Sequence, residues 1–224
     1  MSTQPTPIRR HGGLENVSRA LAVLTALMLA GIVVLVLVDQ SSNTSNSQVG
    51  TGSGVAATQA RSLPPFTGVD VTGDNNVVVR VGARQSVIVH ADSNLLGRVT
   101  TQVSSGSLVI ENTPGTLNAR SPMFVAVSVP SLDALTVRLS GSGTIHAAGT
   151  TARLDVAIDG SGTGTLSQLI ARDAMASING SGSIVLTATH SLDASISGSG
   201  SILYTGNPAQ VTKSVSGSGT ISGG

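Results

Sequence analysis

Reading from Leu135, every second residue of a thirteen-residue stretch is apolar or glycine. The first stretch puts Leu135, Val137, Leu139, Gly141, Gly143, Ile145 and Ala147 in one phase, and Thr136, Arg138, Ser140, Ser142, Thr144 and His146 in the other. A two-residue period predicts β-strand, because successive side chains on a strand point to opposite faces. The pattern returns four more times. Each copy carries Gly-Ser-Gly, at Gly141, Gly160, Gly180, Gly198 and Gly217, with spacings of 19, 20, 18 and 19 residues. One copy has too little apolar area to offset the entropy of ordering its own backbone, so the copies must cover one another.

Copies of this length suit one coil of a β-solenoid, in which each turn of chain lies about 4.8 Å above the last. Stacking puts like on like. One inner column is expected to read Leu139, Ile158, Ile178, Ile196, Val215, and a second Ile145, Gly164, Ile184, Ile202, Ile221. The repeated glycines fall in the inward phase and read as corner devices, where a Cβ would collide. A rival architecture closes antiparallel hairpins at Asp159-Gly160 and Asn179-Gly180 to make a sandwich or barrel. The solenoid is preferred because the inward phase runs through the glycines without a slip.

Upstream the character changes. Residues 1–19 form a polar tail with Arg9, Arg10 and Arg19, expected to be cytoplasmic. Residues 20–38 are uncharged and almost wholly apolar, long enough at about 1.5 Å per residue to cross a bilayer as one transmembrane helix. With the arginines before it, the positive-inside rule places everything after Asp39 outside, in a single-pass membrane protein whose partner is the lipid bilayer itself. Residues 39–63 are rich in Ser, Thr, Asn and Gly and read as a flexible linker. Residues 64–224 follow as one all-β head domain, parallel β-helix-like. In its first part, Val103 to Leu108 around Ser105-Gly106 reads as a worn copy of the later repeat.

The opening F-x-G-V-D-V of Phe66 to Val71, the V-x-V-x-x-P-S-L of Val125 to Leu132 and the serial G-S-G-x-I copies resemble a bacterial family called the putative auto-transporter adhesin head GIN domain. The resemblance implies a cell-surface β-helical domain with an adhesin role and brings no catalytic residues with it. Gly164 breaks its pattern, since the other copies have isoleucine there.

The chemistry-bearing residues are few. There is no cysteine, one lysine and a net charge of +1, which offers no lipoprotein signal, no thiolate metal site and no basic stripe for nucleic acid. His90, His146 and His190 sit at different offsets from the repeat, so stacking does not gather them. No cofactor or metal is expected. Outward serines lack a histidine or lysine at constant offset, so nucleophilic chemistry is not expected of them. Asp155 and Asp193 take matching offsets two coils apart, about 10 Å, which keeps open the alternative of a carbohydrate-active, polysaccharide-processing β-helix enzyme. The positive feature is a flat array of small hydroxyls. Ser142, Ser161, Ser181, Ser199 and Ser218, flanked by Thr144 and Thr163, form either a plain solvent face or a recognition face for a glycan, a protein or a second copy.

Overall fold

The computed structural model describes residues 49–224, and the apolar run 20–38 and the tail before it lie outside the described residues. Among the described residues no helix is long and apolar enough to cross a membrane. The strands are β1 (Gly50–Thr51), β2 (Ala56–Arg61), β3 (Gly68–Gly73), β4 (Asn76–Val81), β5 (Ser86–Asp92), β6 (Val99–Ser104), β7 (Ser107–Asn112) and β8 (Leu117–Asn118). They continue with β9 (Phe124–Val129), β10 (Leu132–Gly141), β11 (Thr144–Gly160), β12 (Thr163–Gly180), β13 (Ser183–Gly198), β14 (Ser201–Thr205), β15 (Gln210–Gly217) and β16 (Thr220–Gly223). The only helical element among them is a 3-10 turn over Leu96–Arg98.

Parallel pairing at the repeat distance makes this an all-β solenoid. Strands leading into the Gly-Ser-Gly corner stack in the order β7, β3, β10, then the later parts of β11, β12 and β13, then β15. Strands leaving it stack as β9, β4, the early parts of β11, β12 and β13, then β14 and β16. We call these the upstream and downstream sheets. Each long strand runs through the downstream sheet of one coil and on into the upstream sheet of the next. The hairpin architecture is therefore excluded, since Asp159 and Asn179 lie side by side in a parallel ladder.

The register stacks the inner positions as the alternation predicts. Val71, Leu139, Ile158, Ile178, Ile196 and Val215 are successive partners across the upstream sheet, and Val77, Ile145, Gly164, Ile184, Ile202 and Ile221 across the downstream one. From Val71 to Ile196 the first column is buried. Burying each such side chain contributes about 1.5–3 kcal/mol, and the neighbouring coil supplies the cover. At the corner, Gly160 has φ 118, and a Cβ there would lie 2.7 Å from the carbonyl oxygen of Gly141 in the coil before. Only glycine turns the chain there.

Two segments depart from expectation. Residues 56–61, within the expected linker, form β2 and pair antiparallel with β5, while β1 pairs with β8. Backbone bonding, not apolar periodicity, recruits them. The anchor is Asp92, a buried carboxylate that accepts hydrogen bonds from the amides of Gly54 (2.7 Å), Arg120 (2.8 Å) and Ser121 (3.2 Å) and from the Ser121 hydroxyl (2.9 Å). The second is Ser105-Gly106, which is no worn corner. With φ 50 and 79, both residues are left-handed and close the antiparallel β6–β7 hairpin.

Candidate functional site

At each corner the chain bends at the serine, and the backbone ladder runs through the bend. The Ser161 amide donates to the Gly141 carbonyl (3.0 Å), Ser181 to Gly160 (2.9 Å), Ser199 to Gly180 (2.9 Å) and Ser218 to Gly198 (3.0 Å). Ser142 continues the column upward by donating to Gly73 (3.0 Å). The five serines are thus one exposed column, a coil apart. Thr144, Thr163, Ser183, Ser201 and Thr220 form the next column and Ser140, Asp159, Asn179, Ser197 and Ser216 the one before. The expected array is present but not flat. Because the first glycine of each corner turns the chain, the serines crest an edge and the flanking columns fall away onto different sheets, leaving Thr144 and Thr163 half-buried.

The two outer faces differ in charge. Outward positions of the upstream sheet include Asp70, Glu111, Asp155, Asp159 and Asp193, with Arg138 opposite Asp70 in register. On the downstream sheet, the outward positions of β9, β4, the early parts of β11 to β13, β14 and β16 carry no acid at all. Asp155 and Asp193 do share a row, separated by the exposed Met175, as their offsets predict.

Periodicity did not find the cluster where Asp173 of β12 meets His190 and Ser191 of β13. Asp173 Oδ1 accepts from Ser191 Oγ (2.6 Å) and lies 2.6 Å from His190 Nδ1, while Arg172 approaches Oδ2 at 3.7 Å. The Ser191 hydrogen bond, then that of His190, holds the Asp173 carboxyl below its ordinary range. Serine and histidine both address the carboxylate and are not arranged in a chain, so the histidine does not activate the serine. The signal available in the sequence was the near-repeat separation of Asp173 from His190 and Ser191. Of the other histidines among the described residues, His90 stacks on Phe124 at 4.2 Å and His146 stands on the downstream face. Among the described residues no three His, Cys, Asp or Glu side chains are placed to share a metal ion.

This fold and its repeat define a class, the parallel β-solenoid built from glycine-cornered coils. The family described as "putative auto-transporter adhesin, head GIN domain" matches residues 65–138 and again 132–208, and the chain belongs to that family. Among solved structures, it is similar to a putative adhesin from Bacteroides fragilis NCTC 9343, at 19% identity over 77% of this chain and 99% of that one, with a TM-score of 0.48. A putative lipid binding protein from Parabacteroides distasonis ATCC 8503 gives 21%, 79%, 100% and 0.41, and a putative adhesin from Parabacteroides merdae ATCC 43184 gives 17%, 78%, 98% and 0.38. No curated protein matches the chain.

Proposed function

We propose that this protein is a non-catalytic, adhesin-like module of the bacterial cell envelope, held to the membrane by residues 20–38 and presenting the solenoid outside. Membership of an adhesin-head family supports the adhesive role, and the span with its preceding arginines supports the address. The observation that carries the reading is the unbroken stacking of the outward rows at the Gly-Ser-Gly corner over successive coils. Regular rows on a stiff scaffold suit repeated contacts with an extended partner, which a single catalytic centre does not require.

The enzyme alternative rests on Asp155 and Asp193, which share a row with Met175 between them, and beside that row Asp173 and Asp193 line a groove with Arg153 and Met175. Glycoside cleavage needs one carboxyl kept protonated near neutral pH, by a raised pKa. Asp173 is shifted the other way by Ser191 and His190. Its partners suit a fixed, ionised strut.

The test is cellular. Cells making the full chain should adhere better than cells making one that lacks 64–224, and deletion of 20–38 should release the protein from the membrane fraction. Replacing Ser142, Ser161, Ser181 and Ser199 together by bulky residues asks whether the crest takes part. Adhesion that is indifferent to the head sinks the reading.

A further inference from the structure

The coils depart from regularity at one place on the downstream face, and several departures coincide there. The longest spacing, from Gly160 to Gly180, belongs to the coil whose β12 carries the extra chain. Between β11 and β12 the register slips from His146↔Thr165 to Ala148↔Gln168. Between β12 and β13 it jumps from Leu166↔Leu186 to Ile170↔Thr187, which leaves Ser167, Gln168 and Leu169 without partners across that ladder. Behind the slip sits Gly164, where the other copies have isoleucine. Bulges of this kind re-aim side chains and gather beside functional sites. A stack that needs only stability would have kept the period.

The slip opens a shallow depression of about 250 Å³. Its rim carries Arg80, His146, Thr165, Ser167 and Gln168, and Val78 supplies an apolar wall. Arg80 and His146 are exposed, and no acid stands among the outward positions of the strands around them, so among the described residues nothing on this face neutralises the guanidinium. On the upstream face Arg138 and Arg153 stand in register beside Asp70 and Asp173, whereas the register neighbours of Arg80 are Ser128 and Ala148. A planar guanidinium favours a carboxylate, which it holds through two parallel N–H donors. Hydroxyl and amide groups beside it suit the alternating donors and acceptors of a sugar ring.

We propose that this depression binds a carboxylate-bearing sugar of an acidic glycan, with Arg80 on the carboxylate and His146, Thr165, Ser167 and Gln168 around the ring hydroxyls. The inference rests on the adhesive reading above and gives it a ligand class. Removing Arg80 loses a charge-assisted pair, so Arg80→Gln weakens binding about tenfold or more, and His146→Gln weakens it less. Arg138→Gln, on the opposite face, leaves binding unchanged.

The experiment is titration of the full chain with trigalacturonate and with its methyl ester, which keeps the size and hydroxyls and removes the charge. Saturable binding of the acid, its loss in the ester and its sensitivity to Arg80→Gln are expected. Equal binding of acid and ester, no binding at millimolar trigalacturonate, or indifference to Arg80→Gln overturns the site. Inorganic sulfate that binds as tightly as trigalacturonate overturns the sugar part and leaves a bare anion site. Adhesion assays separate the two levels. Adhesion to a polygalacturonate surface that needs 64–224 but ignores Arg80 sinks this site alone, whereas adhesion that ignores 64–224 sinks the adhesive reading with it.

Discussion

Ile178 and Val215 hold the same slot of the repeat, two coils apart, and meet opposite fates. Ile178 is 2% exposed and Val215 is 44% exposed. The same contrast sets Leu154 and Leu192, both buried, against Val211 at 38%. Neither pair differs much in chemistry. Burial in a solenoid comes from the coil on the far side, and β15 has a neighbour on one side only. Stability should therefore be concentrated in the middle coils and decline toward β15 and β16.

The largest effect should come from deleting side-chain volume at the middle of the column. Ile178→Ala is expected to cost about 2–5 kcal/mol in denaturant unfolding, because the coils on both sides prevent collapse around the cavity. Val215→Ala, in the same slot at the open end, should cost under about 1 kcal/mol. Equal losses at both positions would mean that the last coil is covered in solution. The next effect is steric. Gly160→Ala forces a Cβ against the Gly141 carbonyl in a left-handed conformation and should cost about 1–3 kcal/mol. A value near zero would show that the corner can relax.

A third effect belongs to the opposite end. Burial alone would raise the Asp92 carboxyl, but the amides of Arg120, Ser121 and Gly54 and the Ser121 hydroxyl together hold it below its ordinary value. A depressed folded pKa contributes stability that is fully present above the unfolded value of about 3.9 and is lost as pH falls through the folded one. The amide signals of Gly54, Arg120 and Ser121 should titrate together with a midpoint below about 3.9, and Asp92→Asn should loosen residues 50–61 at neutral pH. A midpoint at or above the ordinary value contradicts the anchoring role.

Periodicity made the middle of the molecule legible and its ends opaque. Alternation reports which side chains need cover, and stacking at one repeat supplies it, so the inner columns and the serine column could be read from residue order alone, whereas the edge on which the serines sit could not. The β2 strand carries Ala56, Ala57 and Ala60 among polar residues and gains its place through backbone bonds and Asp92, which hydrophobic periodicity does not register. Ser105-Gly106 and Gly141-Ser142-Gly143 look alike on paper. In the first, two consecutive left-handed residues reverse the chain; in the second, one left-handed glycine bends it and lets it continue. The bulge at Ser167 was announced only by a one-residue change of spacing and by Gly164, and the Asp173 cluster forms at a second register shift, from Ala171↔Ala188 to Asp173↔Ser191.

The smallest effect on stability, and the most telling for the comparison, concerns Lys213. It takes the inward slot that Val69, Val137, Val156, Ala176 and Ala194 fill in the coils before it. Its ammonium lies 4.8 Å over the Tyr204 ring and donates to the Ile221 carbonyl (3.3 Å), so one cation bridges the upstream and downstream sheets across the open mouth. At the other end Arg61, in the inward phase of β2, donates to the carbonyls of Leu96 (2.9 Å) and Val99 (3.1 Å) and ties the downstream sheet to the start of β6. An inward charge beside an unpaired strand makes it costly for another strand to add there. Lys213→Val should leave the unfolding free energy within about 0.5 kcal/mol of the parent, yet turn the last coil into a continuous apolar row beside a free edge. Sedimentation should then show concentration-dependent dimers that the parent lacks. A variant as monomeric as the parent would mean that the open end is kept apart by something other than its lysine.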